Sequence, residues 1–482
     1  MATPFAVTLA AQADADPDRA AITSSGRTVT RRELDLRTNR LARAYADLGV
    51  RPEAFVTIGL PNGIEWFEAA IAVWKLGATP QPVSARLPRA ELEAIIELAD
   101  PALVVGLEAA GRAGVAAGFE PDGSFSDDAL PPKAANAWKA PTSGGSTGRP
   151  KLIVAGGAAV TESVALTAAG FGMTPDGVHL ATGPLYHNGP LSFSAAALFT
   201  GNHVVVMPRF DPEATLALVE EHRVDWMYAV PTMMQRIWKL PEDVRYGYDV
   251  SSLRVVFHLA APCPAWLKQA WIDWLGADRI WELYGGTEAQ MVTVIRGDEW
   301  LEHRGSVGRP AYGEIRILDD SGADVPAGVA GEVFMRAPEG VATYRYVGAD
   351  ARAIEGWESL GDLGHVDADG YLYLGDRSAD MILVGGSNVY PAEVEGALDA
   401  HPLVASCCVI GLPDDDLGSR VHAIVQTTGT VTDDDLRAHL ADLLVRYKIP
   451  RTFERVDEPL RDDAGKVRRS ALRDTRIGRS RG

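Results

Sequence analysis

Cysteine is scarce in this chain: Cys263, Cys407 and Cys408 are all there is in 482 residues. Three thiols cannot build a disulfide framework at this length. No CxxC pair or His/Cys cluster with zinc spacing occurs either, so a secreted disulfide scaffold and a structural zinc site are both excluded, and a reduced cytoplasmic compartment is expected. Long apolar runs are also missing. None nears the roughly 18 residues that a membrane span needs, and the first residues lack a basic region ahead of an apolar one, so neither export nor a membrane span is expected. Positive charge is in deficit, with 46 Lys and Arg against 65 Asp and Glu, a net charge of −19 and a pI near 5.0. Nucleic acid and anionic membranes demand a basic surface, which excludes them as partners. Any anionic substrate must then meet cations placed locally.

What is present is an ordinary globular composition, 46 % hydrophobic and 23 % charged, in a chain long enough for two or more domains. The stretch AFVTIGL, followed by IEWFEAAIAVWKLG, reads as a strand and then a helix closing on Gly77. The same alternation recurs between Val178 and Tyr284 through HLATG, HVVVMP, PEATLALVEEH, DWMYAVP and LRVVFHLA. Such alternation predicts parallel strands with helices on both faces and binding sites at the strand carboxyl ends. After Gly305 short alternating strands punctuated by Gly, Asp and Pro indicate a small β subdomain. From Asp376 onward the pattern strand, helix, strand, strand, helix, strand, helix indicates a compact α+β unit. The expected architecture is therefore α/β: a large N-terminal domain, residues 1–378, of parallel α/β sheets with a β subdomain, and a small mobile α+β domain, residues 379–482. The basic tail from Arg461 reads by default as a solvated end.

The densest chemistry lies in TSGGSTGRPK, residues 142–151. Three glycines free backbone N–H groups to point inward, the hydroxyls of Thr142, Ser143, Ser146 and Thr147 donate further bonds, and Lys151 adds a point charge. Pro150 stands where a kinase or GTPase loop needs glycine. A second segment, LYGGTE (283–288), follows the strand-like RIWEL. A third, GDLGHVDADGYLYLGDR (361–377), and a fourth, PLRDDAGKVRR (459–469), follow in order. Together these resemble the acyl-adenylate-forming superfamily of acyl-CoA synthetases, luciferases and peptide-synthetase adenylation domains, and the resemblance runs across essentially the whole chain.

The resemblance implies a site for ATP, Mg²⁺ and coenzyme A. Thr142, Ser143, Gly144, Gly145, Ser146, Thr147, Gly148 and Lys151 would cradle the phosphates, with Thr147 a weaker Mg²⁺ contact. Tyr284 would stack on adenine beside Ala260, Ala261 and Pro262, Thr287 would reach the α-phosphate, and Glu288 would hold Mg²⁺. Asp362 would accept from both ribose hydroxyls and Arg377 would contact ribose and phosphate. Lys466 would be the mobile catalytic lysine bridging carboxylate and triphosphate. Taken without the resemblance, blander readings stand. The 142–151 run is then a surface turn, and LYGGTE a strand-ending turn with a Thr-Glu helix cap. Asp362 caps a turn, Arg377 pairs with Asp376, and Lys466 is solvated.

The resemblance also implies that His187 gates the acyl and pantetheine side; otherwise it is a histidine in a helix N-terminal turn. Gly285, Gly286 and Val230 would lie on that side, with Pro231, Met233 and Met234 as pocket wall or plain core. Gly386, in GGSNVYPAEVE (385–395), would line the pantetheine tunnel, which favours CoA as acceptor. Residues 183–210 hold no Asp or Glu to pair with an α-ammonium group, so an apolar acid is expected rather than an amino acid. The form of the phosphate loop and of the HNGP segment resembles ligases of bulky acids such as bile or terpenoid acids. One departure is Ala379, where the family usually carries Asp or Lys at the hinge; an acid-adenylating enzyme that hands the adenylate to another acceptor is the alternative. A stand-alone ligase is expected, with homodimerisation left open.

Overall fold

A computed structural model describes residues 2–109, 111–142, 150–375, 380–384, 387–414, 417–462 and 465–480, with residues 478–480 described by backbone alone. The centre is a nine-stranded sheet. Its order is Arg309–Tyr312, Val292–Arg296, Ile280–Gly285, Val255–His258, Trp226–Ala229, Val178–Ala181, His203–Val206, Ala20–Ser24 and Arg27–Thr30. From Ile280–Gly285 to Ala20–Ser24 every pairing is parallel. The helices Asn188–Phe199, Pro212–His222, Pro231–Trp238 and Ala265–Leu275 supply crossovers between these strands.

Period-two alternation distributes the strand side chains to two separate cores. Trp226, Tyr228, Val255 and Phe257 pack on one face, and Met227, Ala229 and Val256 on the other. Both faces are therefore dry, as a parallel sheet covered by helices requires. The edges depart from the expected parallel pattern: Val292–Arg296 and Arg309–Tyr312 run antiparallel, as does Arg27–Thr30. The links into Val292–Arg296 and Arg27–Thr30 are only a few residues long, too short for the crossover a parallel neighbour needs. The turn after Gly285 leads straight into Val292–Arg296, so the helix-cap reading of Thr287–Glu288 is not what forms.

A second, wholly parallel sheet orders Thr79–Pro82, Phe55–Ile58, Leu103–Val105 and Gly114–Val115. The expected β subdomain is an antiparallel sheet of Glu314–Leu318, Gly331–Arg336, Trp357–Val366, Ala353–Ile354 and Leu372–Leu374. Beyond Asp380 a hairpin (Ile382–Val384 with Ser387–Val389) precedes the sheet of Val404–Asp414, Gly418–Thr427 and Thr452–Arg455. Helices Pro391–Asp399 and Asp433–Ala441 close over an apolar cluster of their own, built on Val394, Leu398, Val409, Val425 and Leu436. Cys407 and Cys408 are buried, unpaired thiols, as the low cysteine count implied. Among the described residues no helix is long and apolar enough to cross a membrane.

This C-terminal unit is docked by the helix Pro231–Trp238. Gln235 Nε2 donates to the Asp399 carbonyl at 3.0 Å, and the Lys239 ammonium donates to the carbonyls of Asp399, His401 and Val404. A cation on the last carbonyls of Pro391–Asp399 complements the negative end of that helix.

Candidate active site

The strand Ile280–Gly285 ends at the carboxyl edge of the central sheet, where the chain turns sharply. Ala289 takes φ 53° and donates its N–H to the Gly286 carbonyl, a left-handed residue closing a tight turn that folds Glu288 inward. A Cβ on Gly286 would lie 2.5 Å from Leu360 Cδ1 and 2.8 Å from Glu288 Oε2, so any side chain here would push the Leu360 and Glu288 side chains from their places. Glu288 is buried and accepts from the Tyr346 hydroxyl at 2.5 Å. Lys151 Nζ lies 3.9 Å from the same carboxylate and 3.7 Å from the Tyr346 ring centroid. Burial pulls the Lys151 ammonium below the usual lysine value, and the Glu288 charge partly restores it.

Tyr346 was not singled out from the sequence. It comes from the strand Tyr344–Val347, which pairs antiparallel with Leu152–Ala155 directly after Lys151. Tyr344, two residues earlier, donates to Glu358 at 2.6 Å, an acceptor shared with Gln290. The YRYV alternation is a local signal that could have marked a strand here, and nothing local reveals its partner.

Tyr284 and Asp362 meet directly, the phenol donating to Oδ2 at 2.8 Å. Leu360, two residues from Asp362, packs with Tyr284 against one apolar cluster beside the turn that carries Glu288. Thr287, on the same turn, is half-buried. Ala260 holds φ 75° just past the strand Val255–His258 and is exposed, with Ala261 half-buried and Pro262 exposed beside it. A non-glycine residue in the left-handed region carries a local cost, and such positions cluster where the backbone approaches ligands. At the foot of the phosphate run, Thr142 accepts from Gln81 Nε2 at 3.0 Å and bridges to Leu152. Ser143, Gly144, Gly145, Ser146, Thr147, Gly148, Arg377, Ala379 and Gly386 lie outside the described residues, as does the expected boundary at 378/379.

His187 is the N-cap residue of the helix Asn188–Phe199; it is half-buried, and its Nε2 is buried without a hydrogen bond among the described residues. Burial first, and then the nearby Lys466 charge, hold the imidazole at about 3, so it is neutral near pH 7. The same influence places the tail lysine near His187. Lys466 itself is exposed, on a tight turn in which Asp462 accepts from its backbone N–H at 2.9 Å. Gly465, at φ 74°, seats this turn so closely that a Cβ would lie 2.5 Å from Thr232 Oγ1 and 3.3 Å from Val230 Cγ2. Val230, Pro231 and Met234 are fully buried, and Met233 is buried at the edge of the cleft that the turn overhangs. Gly285 forms the strand end itself.

Two further residues found only in three dimensions hold the Lys466 turn. Arg461 Nη2 reaches Glu395 Oε2 at 3.5 Å and the Cys407 carbonyl at 3.1 Å, and Arg469 grips both oxygens of the same Glu395. Glu395 is itself buried.

The chain matches the AMP-binding enzyme family over residues 9–345 and the AMP-binding enzyme C-terminal domain over residues 393–466. It is 32 % identical over 474 residues to a feruloyl-CoA synthase of an Amycolatopsis species, covering 95 % of this chain and 96 % of that one. It is 32 % identical over 498 residues to a Mycobacterium tuberculosis ligase of 3-(7a-methyl-1,5-dioxo-octahydro-inden-4-yl)propanoyl-CoA, with the same coverage. Its fold superposes on the Bacillus subtilis o-succinylbenzoate CoA synthetase, solved with its acyl-adenylate intermediate, at a TM-score of 0.82 and 25 % identity over 98 % of this chain and 99 % of that one. Motifs, architecture and relatives agree that the chain belongs to the AMP-binding enzyme family, as an acyl-CoA synthetase that works through an acyl-adenylate.

Proposed function

We propose that this enzyme activates a bulky, largely apolar carboxylic acid, with the site residues named above in the roles their family motifs imply. An oxygen of the acid attacks the α-phosphorus of ATP, the bond to the β-phosphate bridging oxygen breaks, and pyrophosphate leaves along Lys151. The thiolate of CoA then attacks the acyl carbon, a C–S bond replaces the C–O bond, and AMP leaves. Tyr284 and Asp362 hold the nucleoside, and Lys466 neutralises charge between the two anions that must meet. The convergence of Lys151 and Glu288 with the Tyr284–Asp362 pair, and of Lys466 with His187, carries this reading.

Mg²⁺ fits such a site. Glu288 offers one buried carboxylate, and among the described residues no group of three His, Cys, Asp or Glu side chains could cage an ion. An ion held by Glu288 would draw its other oxygens from phosphate and water, as Mg²⁺ does, and would supply charge neutralisation there. His187, neutral and half-buried, is suited to gating by shape and not by charge.

For the acid, the absence of Asp and Glu from residues 183–210 and the fused-ring propanoyl group in the name of the M. tuberculosis relative both support a bulky acid without an α-amine. The alternative acceptor rests on Ala379 alone. Screening carboxylic acids for pyrophosphate release, with and without CoA, tests the proposal. Release that depends on acid, with AMP and acyl-CoA formed in equal amounts, is expected; release without acyl-CoA on any active acid would refute CoA as the acceptor.

A further inference from the structure

Lys139 stands outside every family motif, three residues before the phosphate run, and its side chain is almost completely buried at 7 % exposure. Its ammonium donates to Asn188 Oδ1 and to Ser192 Oγ, the latter at 2.6 Å, and sits 4.3 Å from the Trp138 ring centroid. Both acceptors are neutral, and no carboxylate pairs with it among the described residues. A buried cation without a counter-charge is expensive to keep, and a neutral side chain would bridge an amide and a hydroxyl at far lower cost. Burial accordingly brings the amine down to about 7.

The place of this cation gives it a use. Asn188 and Ser192 are one turn apart on the helix that His187 caps, so they share a face. Pro190, Leu191 and every residue from Phe193 to Phe199 are buried, whereas His187, Asn188, Gly189 and Ser192 keep partial exposure. That face is therefore not sealed by the core, and it lies next to His187, on the side where the adenylation reading puts the acid. Below about pH 7, where the amine is protonated, it has three N–H donors, and two are committed.

We infer that Lys139, held by Asn188 and Ser192, is a specificity-determining residue that donates its third N–H to an oxygen on the acid remote from the reacting carboxylate. The substrate class is then a ring-bearing acid with a second carbonyl or carboxylate oxygen. This rests on the adenylation reading above and narrows it from a purely apolar acid.

The test uses the full-length enzyme, Mg²⁺-ATP and three matched acids: 3-cyclohexylpropanoate, 3-(4-oxocyclohexyl)propanoate and 3-(4-carboxycyclohexyl)propanoate. For each, kcat/KM for pyrophosphate release is measured. A site built to hydrogen-bond an oxygen discriminates strongly against its absence, so the wild type should favour one oxygen-bearing acid over the hydrocarbon by at least about 10-fold. Which of the two is favoured distinguishes a carbonyl from an anion. Lys139→Met should bring that ratio to within about twofold of unity, and Asn188→Leu, which removes one anchor of the ammonium, should lower it as well. Should Lys139→Met fail to fold, Asn188→Leu decides. A wild type without preference, a ratio unchanged in the folded variants, or a proportional loss on all three acids would overturn the inference while leaving adenylation intact. No pyrophosphate release with any acid would instead overturn the adenylation reading itself, and this one with it.

Discussion

Glu395 is where a single substitution should separate holding the catalytic turn from doing the chemistry. Its carboxylate is 9 % exposed and takes the Val409 N–H at 2.7 Å, Arg461 at 3.5 Å and both guanidinium nitrogens of Arg469. The two arginines, each 15 % exposed, flank the Lys466 turn on either side. Glu395→Ala leaves both guanidiniums largely desolvated and facing each other, with Asp380, 3.5 Å from Arg469 Nε, as the one carboxylate that still contacts either of them among the described residues. Removing one partner of a buried pair typically costs about 3–5 kcal/mol, and the residual exposure of the arginines argues for the lower end, about 3 kcal/mol. In a chain of several units one global unfolding free energy is poorly defined, so the readout should be local. Amide hydrogen exchange in Val404–Asp414 and Gly418–Thr427 should quicken roughly 10²-fold, as about 3 kcal/mol implies. Exchange in Trp226–Ala229 should not follow. Protection of the C-terminal strands within fivefold of wild type would refute the view that this carboxylate holds the turn in place.

Two other outcomes follow from the same geometry. Lys466→Ala should slow pyrophosphate exchange roughly 10²–10³-fold, as loss of a preorganised charge contact does, while leaving the melting curve in place because the side chain is exposed; exchange within tenfold of wild type would remove it from its role. Lys139 governs a pH effect on stability. The unfolded chain keeps this proton up to about 10.5 and the folded one only to about 7, so across that window folding releases a proton and stability rises with pH. The slope from this group approaches about 1.4 kcal/mol per pH unit, and Lys139→Met should abolish it; parallel melting temperatures of wild type and variant from pH 7.5 to 9.5 would contradict the burial of a titrating amine there.

Much of this enzyme was legible in its residues because the signals are local. Alternating apolar strands and helices set a doubly covered sheet, since period-two burial on both faces can be read without knowing the strand order. The segments 142–151, 283–288, 361–377 and 459–469 announced a nucleotide site through residue types that bind phosphate, ribose and cations. What the chain order could not disclose were contacts between segments far apart. Tyr346 reaches Glu288 only because Tyr344–Val347 pairs with the strand after Lys151, and Glu395 anchors the Lys466 turn only because Pro391–Asp399 packs against Val404–Asp414. Val292–Arg296 and Arg27–Thr30 turned antiparallel because short connections leave no room for a crossover. Lys139 is the sharpest instance. In sequence it is one lysine among many, and its meaning comes from burial beside two neutral acceptors on another element, since desolvation is a property of the packed interior and has no signature along the chain.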